Sequence, residues 1–131
     1  MVMITSETNL DVSAERAWAL LRDPGAAAKA FPGVLVASRL DGDIRTVTFA
    51  GGSVVRERVL DIDEAQRQVA YAVVEGGFSR HSAFMQIIAD GPHRSRFVWV
   101  SDFLPDELEP LVRPLVEQGT AAFRRVAETE A

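Results

Sequence analysis

Glu57 is the residue with the most chemistry in it. It stands in Val55-Arg56-Glu57-Arg58-Val59-Leu60, whose alternation reads as a strand. Its face is shared with Val55 and Val59 and is the more apolar one, because Arg56 and Arg58 fall on the other. A carboxylate on a buried strand face is expensive unless paired or hydrogen-bonded. Three roles stay open for Glu57: a structural partner of Arg45 or Tyr71, a ligand contact made directly or through water, and a general acid or base with a raised pKa. His81 is the second candidate for moving a proton. The alternation of its strand puts it near a rim, where an exposed, inert histidine is expected before a catalytic one. His93 lies in a turn beside Pro92 and should face solvent.

Other chemistries lack their residues. The chain has no cysteine, so disulfides and thiol catalysis are excluded. Two histidines far apart, with no carboxylate at ligand spacing, give no metal site. No Gly-x-Ser-x-Gly is present, and Gly51-Gly52 and Gly76-Gly77 read as hairpin turns rather than phosphate cradles. No cofactor is expected. A net charge of −5 with arginines spread singly argues against nucleic acid. No apolar run is long enough for a membrane span, and the first residues do not read as a leader, so a cytoplasmic protein is the default expectation. The 131 residues, 47% hydrophobic and 25% charged, fit one globular domain covering 1–131. Monomer and homodimer both remain open.

These candidates need elements to position them. Val2 to Leu10 alternates as a first strand. Ser13 is a natural N-cap for a short helix over Ala14–Arg22, and a second, alanine-rich helix spans Ala26–Phe31. From Val34 the period returns to two. Strands are expected over Val34–Leu40, Ile44–Ala50, Val54–Ile62, Gln68–Glu75, Arg80–Ala89 and Arg94–Phe103, with short Gly- and Asp-rich turns that make sequence neighbours antiparallel neighbours.

The last element is a helix over Leu108–Ala127. Its apolar stripe runs Leu108, Leu111, Val112, Leu115, Val116, Gly119, Ala122, Phe123 and Val126. Pro105, Asp106 and Glu107 suit its start. Pro114 should kink or break it near Val112–Arg113, or else mark its true beginning. The order is β-α-α-β-β-β-β-β-β-α, an α+β fold in which a curved antiparallel sheet wraps one long helix.

Strand parity names the side chains between sheet and helix. They are Arg45, Val47 and Phe49 on the third strand, Val55, Glu57, Val59 and Asp61 on the fourth, and Val69, Tyr71 and Val73 on the fifth. The sixth gives His81, Ala83, Met85 and Ile87, and the seventh gives Phe97, Trp99, Ser101 and Phe103. From the helix come Leu115, Gly119 and Phe123. Such a space is apolar with a few polar groups (Arg45, Glu57, Tyr71, His81 and Ser101), the usual form of a small-molecule site.

The order and its residues resemble the START-related helix-grip superfamily (SRPBCC), which includes birch-allergen-like proteins, abscisic acid receptors and bacterial polyketide cyclase/dehydrase-like proteins. The matching stretches are Asp11 to Leu21, Phe31-Pro32-Gly33-Val34, Val55 to Leu60, Tyr71 and Val98-Trp99. Carrying over the hormone-receptor pattern, the cavity-facing acid falls on Glu57, an aromatic on Tyr71 and a further contact near Trp99. The resemblance implies a cavity for a lipid, polyketide or aromatic molecule, with loops Gly51–Ser53 and Gly76–Ser79 gating it. Its alternative is a polyketide cyclase, aromatase or dehydratase using Glu57 or His81 as acid/base, with Tyr71 or Arg45 holding an oxygen. A third implied use is a protein-interaction module resembling chaperone cofactors, acting through the sheet surface.

Overall fold

The computed structural model describes residues 1–129. Strand β1 (Val2–Leu10) is followed by α1 (Ala14–Leu21), a single 3-10 turn at Pro24–Ala26, and α2 (Ala27–Ala30). Six strands come next: β2 (Leu35–Asp41), β3 (Ile44–Phe49), β4 (Val54–Asp63), β5 (Gln68–Glu75), β6 (Arg80–Ala89) and β7 (Ser95–Leu104). A second 3-10 turn at Asp106–Leu108 leads into α3 (Glu109–Thr129). All seven strands form one antiparallel sheet in the order β1-β7-β6-β5-β4-β3-β2. The helix-grip architecture expected from the sequence is the one observed.

Local chemistry explains most boundaries. Ser13 caps α1, its Oγ accepting from the Arg16 amide at 3.3 Å. The second helix is shorter than its alanines suggest. Asp23 accepts from the Gly25 amide, and Pro24 sets a tight turn, so the chain runs as 3-10 helix before one α turn at Ala27. Pro114 neither breaks α3 nor begins it, because the helix runs continuously from Glu109. A proline there frees the carbonyl of Pro110, and both prolines are solvent-exposed, so water can take that bond.

The pairing carries register shifts at Leu35/Ala37, Arg56/Glu57 and Val59/Asp61, and the last of these changes which side chains face inward on β4. A bulge between Val59 and Asp61 turns Asp61 outward, opposite Ala70, and sets Ile62 opposite the buried Val69. Asp61 therefore lies on the exposed side, not among the inward residues. At the packed end, α3 is seated on the sheet by aromatic rings. Phe123 stacks on Phe97 at 4.5 Å between centroids, and Phe31 touches Phe123 at 5.8 Å. At the other end of the helix the packing opens.

Candidate functional site

The opening is a cavity of about 590 Å³ between the sheet's inner face and the first half of α3. Its helix wall is apolar: Leu108, Val112, Leu115 and Val116, with Leu111 at the mouth. Leu111 is 67% exposed and Leu115 37%, although both lie on the helix's apolar stripe. The sheet departs from the helix there, so these leucines face the cavity instead of packed side chains.

The sheet wall carries the polar groups. β3 and β4 pair Arg45 opposite Glu57, and Arg45 Nε donates to Glu57 Oε1 at 2.7 Å. Both residues are only 7% exposed. Arg45 also reaches the Pro24 carbonyl at 3.5 Å, and its guanidinium lies 5.0 Å over the Tyr71 ring. Burial pushes the Glu57 carboxyl above its usual range, and Arg45 pulls it back only in part. On β5, the Tyr71 hydroxyl accepts from Trp99 Nε1 of β7 at 3.1 Å. Burial raises the Tyr71 pKa further, so it stays a phenol.

His81 is not the exposed rim residue that alternation suggested. The backbone pairing of β5 with β6 stops at Tyr71 and Ala83. Beyond it, His81 Nδ1 accepts the Val73 amide at 3.0 Å, so the ring takes the place of a ladder bond. An accepting Nδ1 is unprotonated, and the neutral ring then carries its proton on Nε2, which donates to Ser101 Oγ at 3.3 Å. Burial lowers the His81 pKa to about 4.

The pH dependence has a definite sign. An unfolded histidine titrates near pH 6.5, so between there and about 4 the unfolded chain binds the extra proton. Stability from neutral His81 is full above that window and is lost as pH falls through it. The expected loss is up to about 3 kcal/mol. His81→Asn keeps an acceptor at the Nδ1 position without titrating. Urea denaturation of both proteins at several pH values should show the wild type falling relative to the variant on acidification. Parallel curves would remove His81 from the account.

Most expected site residues come together. Arg45, Val47, Phe49, Val55, Glu57, Tyr71, Val73, His81, Met85, Trp99, Ser101, Leu115 and Gly119 all line the cavity. Four do not. Phe97 and Phe123 are fully buried at the end where the helix sits on the sheet, and Ala83 is buried on β6 between the lining residues His81 and Met85. Val59 lies one step past Glu57 on its strand, outside the lining.

Phe78 was missed. It follows Gly76-Gly77, where Gly77 takes φ +91°, and the chain turns so that its ring lies against His81 at 4.9 Å and Phe103 at 5.3 Å. An aromatic residue next to a diglycine was the available signal. Phe31 and Leu35 were also missed as wall residues, because they come from segments outside the central strands. Among the described residues, no cluster of three His, Asp or Glu side chains could hold a metal ion, and no helix is long and apolar enough to cross a membrane.

Comparison with known proteins agrees with this architecture. The profile of the family described as polyketide cyclase/dehydrase and lipid transport matches residues 1–128. No curated protein matches the chain by sequence. Among solved structures, the protein XoxI from Bacillus cereus is similar at 18% identity and TM-score 0.88, covering 100% of this chain and 99% of that one. A protein from Thermobifida fusca is similar at 21% identity and TM-score 0.78, covering 99% and 92%. Norcoclaurine synthase from Thalictrum flavum, solved in complex with dopamine and hydroxybenzaldehyde, is similar at 20% identity and TM-score 0.75, covering 98% and 85%. At these identities the structures share a fold, and the profile match over nearly all of the sequence adds the family. The chain belongs to the polyketide cyclase/dehydrase and lipid transport family.

Proposed function

We propose that this protein binds an apolar small molecule (a lipid, polyketide or aromatic compound) between sheet and helix. The observation that carries the reading is the cavity of about 590 Å³, whose helix wall leaves Leu111 and Leu115 exposed although both lie on the apolar stripe of α3. Its volume falls within the range of drug-sized ligand pockets, and its walls are mostly hydrophobic with a few convergent polar groups. Native mass spectrometry of the protein as purified, followed by organic extraction, tests it. A retained hydrophobic molecule, or one-to-one uptake of an added one with a change in Trp99 fluorescence, is the expected result. A protein that takes up no apolar molecule, with unchanged fluorescence, would sink the proposal.

One observation favours a second reading, an enzyme of the cyclase or dehydratase kind. Glu57 Oε2 makes no hydrogen bond within the described protein, and the carboxyl pKa is raised, as a general acid needs. His81 is poorly suited to the role of base, since its unprotonated nitrogen is already held by the Val73 amide. Glu57→Gln separates the readings: an enzyme loses turnover while keeping its apolar ligand, and a binder has no turnover to lose. Use as a protein-interaction module has less support. Ion pairs Arg56–Glu75 and Arg58–Asp43 interrupt the apolar residues of the sheet's outer face.

A further inference from the structure

The charges on the cavity wall cancel. Among the described residues of the lining, Arg45 and Glu57 are the only basic and acidic side chains of the Arg, Lys, Asp and Glu types, and they face each other as an ion pair. His81 is neutral and Tyr71 is a phenol. The hydrogen bonds of these groups are nonetheless incomplete. Glu57 gives Oε1 to Arg45 and leaves Oε2 without a protein partner among the described residues. Arg45 uses Nε and Nη1 and leaves Nη2. Among the described residues no fully buried side-chain nitrogen or oxygen lacks a partner, so both atoms keep some accessible surface. The Tyr71 oxygen accepts from Trp99, and its own proton has no acceptor among the described residues. Ser101 is in the same position with respect to His81.

We infer that the ligand is an uncharged apolar molecule bearing a hydroxyl, an alcohol or a phenol, held at the Arg45–Glu57 pair. The inference rests on reading the cavity as a binding site. A hydroxyl both donates and accepts, so one group can donate to Glu57 Oε2 and also accept a hydrogen bond from Arg45 Nη2 beside it. A purely apolar ligand would cover those atoms and leave them unsatisfied. A carboxylate or phosphate head would approach Glu57 as a like charge, with Arg45 already neutralised. An ammonium head would meet Arg45 in the same way. Either ion would lose its water with no net counter-charge on the wall to offset that loss.

Four matched probes decide the matter: biphenyl, para-hydroxybiphenyl, biphenylcarboxylate and biphenylmethylammonium, titrated calorimetrically into the wild-type protein at neutral pH. The hydroxyl probe is expected to bind about tenfold or more tighter than each of the others. Glu57→Gln leaves Arg45 unbalanced and should raise carboxylate affinity by about tenfold while lowering that of the hydroxyl probe. Biphenyl binding as well as hydroxybiphenyl, or an ionic probe binding as well or better, overturns the inference and leaves the cavity reading standing. If no probe binds, biphenyl included, the cavity reading falls and the inference falls with it. The wild-type ranking stands by itself should the variant fail to fold.

Discussion

Replacing Arg45 with methionine is expected to cost the fold about 3–5 kcal/mol at neutral pH. The loss comes mainly from what remains. Glu57 is 7% exposed, and its nearest counter-charge is the guanidinium at 2.7 Å. Without Arg45 the carboxylate is buried and uncompensated, and it answers by holding its proton. Its folded-state pKa, already raised by burial, rises further. The sign follows from linkage. A carboxyl whose folded pKa exceeds its unfolded value binds more protons folded, so that stability is present at low pH and is lost as pH rises through the folded pKa. Arg45→Met should therefore be close to wild type in mild acid and fall behind as the solution is made neutral. The paired change Arg45→Met with Glu57→Leu removes both charges and should recover most of the loss. Urea denaturation of the three proteins across pH checks this. A cost under about 1 kcal/mol with no pH dependence would mean that water entering the cavity already solvates Glu57.

Phe123→Ala should cost a similar amount, about 3–5 kcal/mol, for a different reason. Its ring is fully buried and stacks on Phe97, with Phe31 on its edge. Phe97 and Phe123 hold α3 to the sheet outside the cavity lining, and Phe31 joins them to the cavity wall. Truncation leaves a hole lined by groups that cannot collapse without moving the helix. Against a total stability of about 5–15 kcal/mol for a domain, that is a large share. Leu115→Ala is the matched control. It removes an apolar side chain from the same helix, but one already 37% exposed in the cavity, and its cost should stay below about 1 kcal/mol. Thermal and urea denaturation of the pair would contradict this division of the helix if the two losses came out equal.

The division was not legible in the sequence. Phe97 and Trp99 stand two residues apart on one face of β7, and parity treats them alike. One is core and the other cavity wall, because that depends on how far the helix stands from the sheet along its length. Leu111 and Phe123 share one helical stripe and meet the same difficulty. What parity could tell was which face each residue takes. It placed Arg45, Glu57, Tyr71 and Trp99 on the inner face, and erred at Asp61, where a bulge resets the alternation. The limits of β1, β5 and β6 were read without error, since glycine and proline turns or a helix cap punctuate them. His81 was misread because its ring bonds a backbone amide across strands that have stopped pairing, which no periodicity records. Pro114 was overweighted. Its effect depends on whether the carbonyl it frees can reach water, and exposure is a property of the folded state.

The strand order has a consequence in time. Strands β2 to β7 join by hairpins, each closing onto its immediate predecessor, so that part of the sheet can zip up from local contacts. β1 is different: Val2 pairs with Phe103 and Leu10 with Ser95, nearly the whole chain away. The first strand of the sheet to be synthesised is therefore among the last to find its partner. Until β7 exists, β1 is a segment with open backbone bonds and no cover for Ile4 and Leu10, and β7 in turn is an uncovered edge until β1 arrives. That final pairing closes the largest loop in the molecule, and it is the step at which a slow phase in refolding would be sought.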